Sequence, residues 1–158
     1  MKFAEFICTD SIQVSLKATE KEDVIREMVA SLRDAGQIAP EEFDNVVKAI
    51  MKREELGSTG IGRCVAVPHT KHSSIKKMVG TVAVSPGGVK FDSLDGQPVH
   101  VLFMLVSPPD DPNEHLRALE HISRQLRDEM FRRFIMQVKS QEEVCQLLEE
   151  ADNNMYAV

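Results

Sequence analysis

Apolar residues along the chain fall into two kinds of pattern, spaced stripes and continuous runs. Ile25, Met28, Val29 and Leu32 follow the i, i+3, i+4, i+7 spacing of one helical face, and Gly36 ends that pattern. Thr19-Glu20-Lys21-Glu22 precedes it with capping-box spacing, in which a hydroxyl and a carboxylate satisfy the free N–H groups of a helix start. Pro40, Glu41 and Glu42 open a second helix, whose stripe is Phe43, Val46, Val47, Ile50 and Met51 and which frays before Gly57. The continuous runs come next, at 64–67, 78–84 and 99–106, and read as strands; 101–106 is apolar throughout, as a buried strand requires. Ser85-Pro86-Gly87-Gly88 and Leu94-Asp95-Gly96-Gln97-Pro98 read as turns, with a short rung at 89–91 between them. From about Asn113 a helix places Leu116, Leu119, Ile122 and Leu126 on one face, with His115 in its first turn. Met130, Phe131, Phe134, Ile135 and Val138 mark another, and a second capping box, Ser140 to Glu143, starts a last one carrying Val144, Leu147 and Leu148. Helices, then strands, then helices predict a layered α/β architecture, a sheet covered on both flanks, with the strand order left open.

Composition narrows the function classes. A length of 158 residues predicts one domain able to bury a core unaided. Nineteen basic against 25 acidic residues give a net charge of −6, which argues against a general nucleic-acid or anionic-membrane binder. The absence of Trp disfavours a base-stacking groove. Cys8, Cys64 and Cys145 are odd in number and widely spaced, so neither a disulfide framework nor a paired zinc motif is indicated, and a reducing cytoplasm is the expected location. Acids interrupt the first ten residues where a signal core would be apolar, and no run reaches membrane-spanning length, so no membrane insertion is expected.

The stretch 57–72 has the chemistry of a functional loop: small residues and glycines that let backbone approach a ligand, followed by His69 just past a strand. A neutral imidazole is a nucleophile near pH 7, which suits phosphoryl acceptance. The product would carry several negative charges and need backbone N–H groups, hydroxyls or an Arg fork, which Arg53, Thr59, Gly60 and Gly62 are placed to supply. Neither a Walker nor a dinucleotide-binding glycine pattern is present, so no nucleotide site is indicated. On spacing alone a solitary histidine at a strand end is more often an ordinary surface or hydrogen-bonded residue than a nucleophile, and Ser58 and Thr59 also suit a plain turn.

The run Arg53-Glu54-Glu55-Leu56-Gly57-Ser58-Thr59-Gly60-Ile61-Gly62-Arg63-Cys64-Val65-Ala66-Val67-Pro68-His69 resembles the active-site signature of the fructose/mannitol-type enzyme IIA of the bacterial phosphoenolpyruvate-dependent phosphotransferase system. The likeness continues through 88–99 and Glu114-His115-Leu116, and the wording of 57–62 is closest to the nitrogen-regulatory branch. The resemblance implies that family's fold, a mixed β-sheet flanked by helices on both faces, as a single domain over 1–158. It implies that His69 takes a phosphoryl group from a histidine phosphocarrier protein and passes it to a IIB component or holds it as a signal to a regulatory target. It further implies that His115 is the second active-site histidine, that Arg53 lies near the phosphohistidine, that Ser58, Thr59, Gly60 and Gly62 form the phosphate-binding loop, and that no cofactor or metal takes part. Cys64 departs from the pattern, standing where the family most often has Gly, which bears on the shape of the loop; His100 and His121 are expected to be structural or surface residues.

Transport and regulation both fit such a histidine. The absence of IIB or membrane IIC segments within the 158 residues weights the expectation toward regulation; a binding-only homologue is the alternative. A zinc protein using His69, His72, Cys64 and His115 is a third reading, though His69-x-x-His72 lacks a second paired ligand motif. The sugar, the downstream acceptor and the oligomeric state are not encoded in any of these patterns.

Overall fold

The apolar run near position 100 becomes the middle strand of a five-stranded mixed sheet in a computed structural model that describes residues 1–153. The last five positions of the expected 1–158 domain lie outside the described residues. Strand β5 (Val99–Ser107) pairs on one side with β4 (Val79–Val89), antiparallel, from Val79 opposite Val106 to Val84 opposite Val101. On its other side β2 (Val65–Ala66) and β3 (His69–Lys71) run parallel to it in one continuous register, Val65 opposite Val101 and His69 opposite Leu105. Pro68 divides them because it has no N–H to give a ladder, yet its carbonyl still accepts from Leu105 N–H at 3.0 Å. The short β1 (Gly60–Gly62) folds back antiparallel on β2. The free edge of β4 is covered by the first twenty residues, which bridge to it at Ile7–Gly80, Gln13–Ala83 and Glu20–Lys90.

Alternation along β5 sorts the core into two layers. Val101, Phe103 and Leu105 pack with α3 (Pro112–Arg127), α4 (Glu129–Ile135), α5 (Gln141–Asp152) and the N-terminal turn. Leu102, Met104 and Val106 pack with α1 (Lys21–Asp34) and α2 (Phe43–Glu55). Both faces are therefore covered, as the sequence predicted, and β5 is apolar on both because both are buried.

Several local expectations change. Glu20, not Thr19, is the N-cap of α1, and no side chain caps it; Thr19 instead gives its carbonyl to Lys90 N–H, which stitches the N-terminal segment to the sheet. Ser140 does cap α5, accepting from Glu143 N–H at 3.1 Å. The expected turn at 85–88 is a bulged part of β4, where the register slips before Val89 meets Val99. The buried face of α3 is His115, Ala118, His121, Ile122 and Leu126, while Leu116 is 55 % exposed. The helix is thus rotated by about one position from the face that its leucines suggest, which carries His115 inward.

Candidate active site

His69 opens β3 at the residue where the edge strand resumes after Pro68, and its ring is half-buried. Its Nδ1 lies 2.7 Å from the carbonyl oxygen of Val67. A carbonyl can only accept, so Nδ1 carries the proton and Nε2 keeps its lone pair. His115 comes from the first turn of α3, 5 % exposed, with its ring centroid 5.7 Å from that of His69 and the planes at 52°. Its Nδ1 is 2.6 Å from Oγ of Ser107, the last residue of β5. The turn 108–111 returns the chain from the end of β5 directly into α3, which sets the two histidines side by side.

Arg53, in the last turn of α2, donates from Nη1 to the carbonyl of Gly57 at 3.0 Å. It lines an open pocket together with His69, Thr70, Lys71, His115 and Leu119. The structure therefore brings Arg53, His69 and His115 together, and adds Lys71, Thr70 and Ser107. The loop residues have other partners. Thr59 directs both its N–H and its hydroxyl to the Glu54 carboxylate. Ser58 Oγ accepts from Gly60 N–H at 3.0 Å, and the Gly60 carbonyl accepts from Leu94 N–H. A Cβ on Gly60 would strike Ser93, and one on Gly62 would lie 3.3 Å from Asp95 Oδ2. Ser58, Thr59, Gly60 and Gly62 thus face Glu54 and the 91–95 segment, and none of them is among the pocket's walls.

Cys64 follows Arg63 into the left-handed region, with φ of +69° and +56°. This explains a glycine preference at 64, since a side chain there is strained. The Cys64 carbonyl accepts from both His100 and Val101 N–H, so this turn fixes where β2 joins β5. His100 bonds the Ser85 carbonyl, His72 bonds Ser74, and His121 packs edge-on against Phe3; these three sit apart from the pocket. Among the described residues no group of three or more His, Cys, Asp or Glu is placed to hold a metal ion.

Electrostatics match the geometry. Burial pushes the His69 imidazole below its ordinary value; the Val67 carbonyl pulls it back up, Arg53 and Lys71 push it down and Glu54 opposes them. Burial, with His69 and Lys71, lowers His115 to about 4. Both rings are neutral at pH 7, so the site offers a nucleophilic nitrogen beside an Arg and a Lys.

Residues 5–151 match the family model described as "Phosphoenolpyruvate-dependent sugar phosphotransferase system, EIIA 2". The chain is 34 % identical over 152 residues to the "PTS system fructose-specific EIIABC component" of Bacillus subtilis strain 168, covering 96 % of this chain but only 24 % of that protein. It is 33 % identical over 129 residues to a "Nitrogen regulatory protein" of Bradyrhizobium diazoefficiens, covering 82 % of each. Among solved structures, nitrogen regulatory protein IIA-Ntr of Neisseria meningitidis superposes with a TM-score of 0.82 at 30 % identity, over 91 % of this chain and 97 % of that one. The Escherichia coli complex of enzyme IIA mannitol with phosphorylated IIB mannitol gives 0.74 at 26 %, over 89 % and 94 %. Among the described residues no helix is long and apolar enough to cross a membrane.

Proposed function

The chain belongs to the EIIA 2 family of the phosphoenolpyruvate-dependent sugar phosphotransferase system and is a phosphoryl carrier of that system, and from this premise we propose that Nε2 of His69 is the atom that carries the group. The observation behind this reading is the Val67 carbonyl on Nδ1, which leaves Nε2 as the free nitrogen of a neutral ring beside Arg53, Lys71 and His115. Nε2 attacks phosphorus in line; the P–N bond to the donor imidazole breaks as the new one forms, and the donor leaves as a neutral ring. No proton has to leave His69. Positive charge develops on its ring, and the Nδ1–H bond to Val67 strengthens as it does. Arg53 and Lys71 balance charge on the transferring oxygens. With Ser107 Oγ–H donating to Nδ1 of His115, Nε2–H of that ring is a neutral donor for a phosphoryl oxygen. Ser58, Thr59, Gly60 and Gly62 then serve the site by shaping the loop.

The donor in this reading is a histidine phosphocarrier protein, the recipient a IIB component or a regulatory target, and the setting the cytoplasm. The fructose relative and the mannitol complex favour a IIB recipient, the nitrogen regulatory relatives a signal. A gain of about −1.5 to −2 charges beside Arg53 and Lys71 is enough to change which surface docks there.

The test is intact mass after incubation with phosphoenolpyruvate, enzyme I and the histidine phosphocarrier. One acid-labile phosphoryl group is expected on the wild type and none on His69→Ala; a group that persists in the variant refutes His69 as the acceptor. His115→Ala should slow loading without changing its stoichiometry.

A further inference from the structure

The last turn of α2 drives a carboxylate into the core. The side chain of Glu54 is 2 % exposed and stands on the stripe of Val46, Val47 and Ile50, where an apolar residue would bury at far less expense of solvation. It is held by Lys21 Nζ at 3.1 Å, itself 4.8 Å above the Phe91 ring, and by the N–H and hydroxyl of Thr59. Glu54 is not on the wall of the pocket, so it does not meet the phosphoryl group.

Its hydrogen bonds nevertheless lead to the nucleophile. Thr59 N–H donates to Glu54 Oε1 at 3.1 Å, the Thr59 carbonyl accepts from Val67 N–H at 3.0 Å, and the Val67 carbonyl holds Nδ1–H of His69 at 2.7 Å. We propose that Glu54 is a positioning residue for His69, fixing the Nδ1–H tautomer through Thr59 and Val67; this rests on His69 being the phosphoryl acceptor. An imidazole that loses its Nδ1 acceptor can shift the proton to Nε2, the nitrogen that must attack. The carboxylate also acts through space, opposing Arg53 and Lys71 at the ring. A buried charge at this point therefore does two things that an apolar residue cannot: it anchors the loop from which the tautomer is set, and it keeps two nearby cations from depressing the ring further.

The tautomer is read by the imidazole 15N shifts of His69 in the unphosphorylated full chain, with its pH midpoint, and single-turnover loading is measured alongside. Wild type should show the Nδ1–H form. Glu54→Ala should lose at least about half of that form and load at least about tenfold more slowly, a size typical of a displaced reacting group. Glu54→Gln, whose amide oxygen still accepts from Thr59, should restore the tautomer while lowering the pH midpoint, because the charge is gone. Glu54→Leu fills the volume and serves if the Ala variant does not fold. Wild-type 15N shifts and midpoint in either apolar variant would overturn the proposal. The tautomer is measured without transfer, so a wild type that accepts no phosphoryl group would sink the carrier role of His69, while a shifted tautomer would still support the positioning role of Glu54.

Discussion

At the scale of single residues, the proposed phosphoryl acceptance turns on which nitrogen of His69 is free and on what keeps its ring neutral. Burial is the largest influence on His69 and lowers it from its ordinary value, so the neutral form persists below the pH at which a free imidazole would be half protonated. In the proposed loading, the single-turnover rate should accordingly reach half its alkaline plateau only below about pH 6.5, as Nε2 gains a proton and loses its lone pair. A rate that already halves above pH 7 would contradict that order. His69 and Arg53 stood out from the residues around the loop, His115 only through the family resemblance; the structure sets all three around one pocket. Glu54 was not singled out, although a signal existed: it stands four residues after Ile50, a charge on an otherwise apolar stripe. The partners of Thr59 and Gly60 carried no comparable signal, since a hydroxyl or a glycine in a loop is compatible with many neighbours.

The helices and the long strands obeyed the hydrophobic pattern in kind and place and departed from it in their ends and rotation, whereas the expected loop 57–72 holds the short strands β1 and β3 because β2 and the central β5 lend them partners. Both capping boxes have the same spacing, yet only Ser140 caps a helix; Thr19 is drawn into the sheet contact with Lys90. Ser140→Ala should therefore lower stability by about 1 kcal/mol. Thr19→Ala should stay within about 0.5 kcal/mol of wild type, both read from urea midpoints at constant m. A loss at Thr19 equal to that at Ser140 would mean that its hydroxyl caps α1 after all. In α3 the leucines misled because the inward face is completed by His115, Ala118 and His121, residues that hydropathy does not mark as core. In β4 the Pro-Gly-Gly turn signal was overridden because β5 offers partners on both sides of the bulge, so the strand resumes at Val89.

For the whole molecule, the histidines brought inward by the fold make its stability depend on pH. Folded His115 titrates at about 4, and burial also lowers His69 and His121, the latter pulled partly back by Asp152. Between about pH 6.5, where unfolded imidazoles protonate, and pH 4, the unfolded chain binds more protons than the folded one. Stability is therefore fully present above about 6.5 and is lost as pH falls, with His115 alone contributing on the order of 3 kcal/mol by pH 4. Urea midpoints measured from pH 7.5 to 4.5 should decline, and less steeply in His115→Gln; parallel slopes would show that His115 is not buried neutral. Asp152 adds a clamp within the layer of α3, α5 and the N-terminal turn, accepting from Phe3 and Ala4 N–H while it faces His121 at 3.8 Å. The sequence by itself determined the main helices, the two-sided burial of β5 and which side chains are candidates for phosphoryl chemistry, because periodicity and side-chain reactivity are local properties. Only the tertiary structure decided that Pro68 leaves one parallel register unbroken, that α3 turns His115 onto His69, and that Val67 selects the free nitrogen. The register and the histidine pair depend on contacts between residues 36 and 46 apart, and the Val67 contact, though only two residues away, depends on the backbone that Pro68 and β5 hold there; all exist only once the core layers have closed on the sheet.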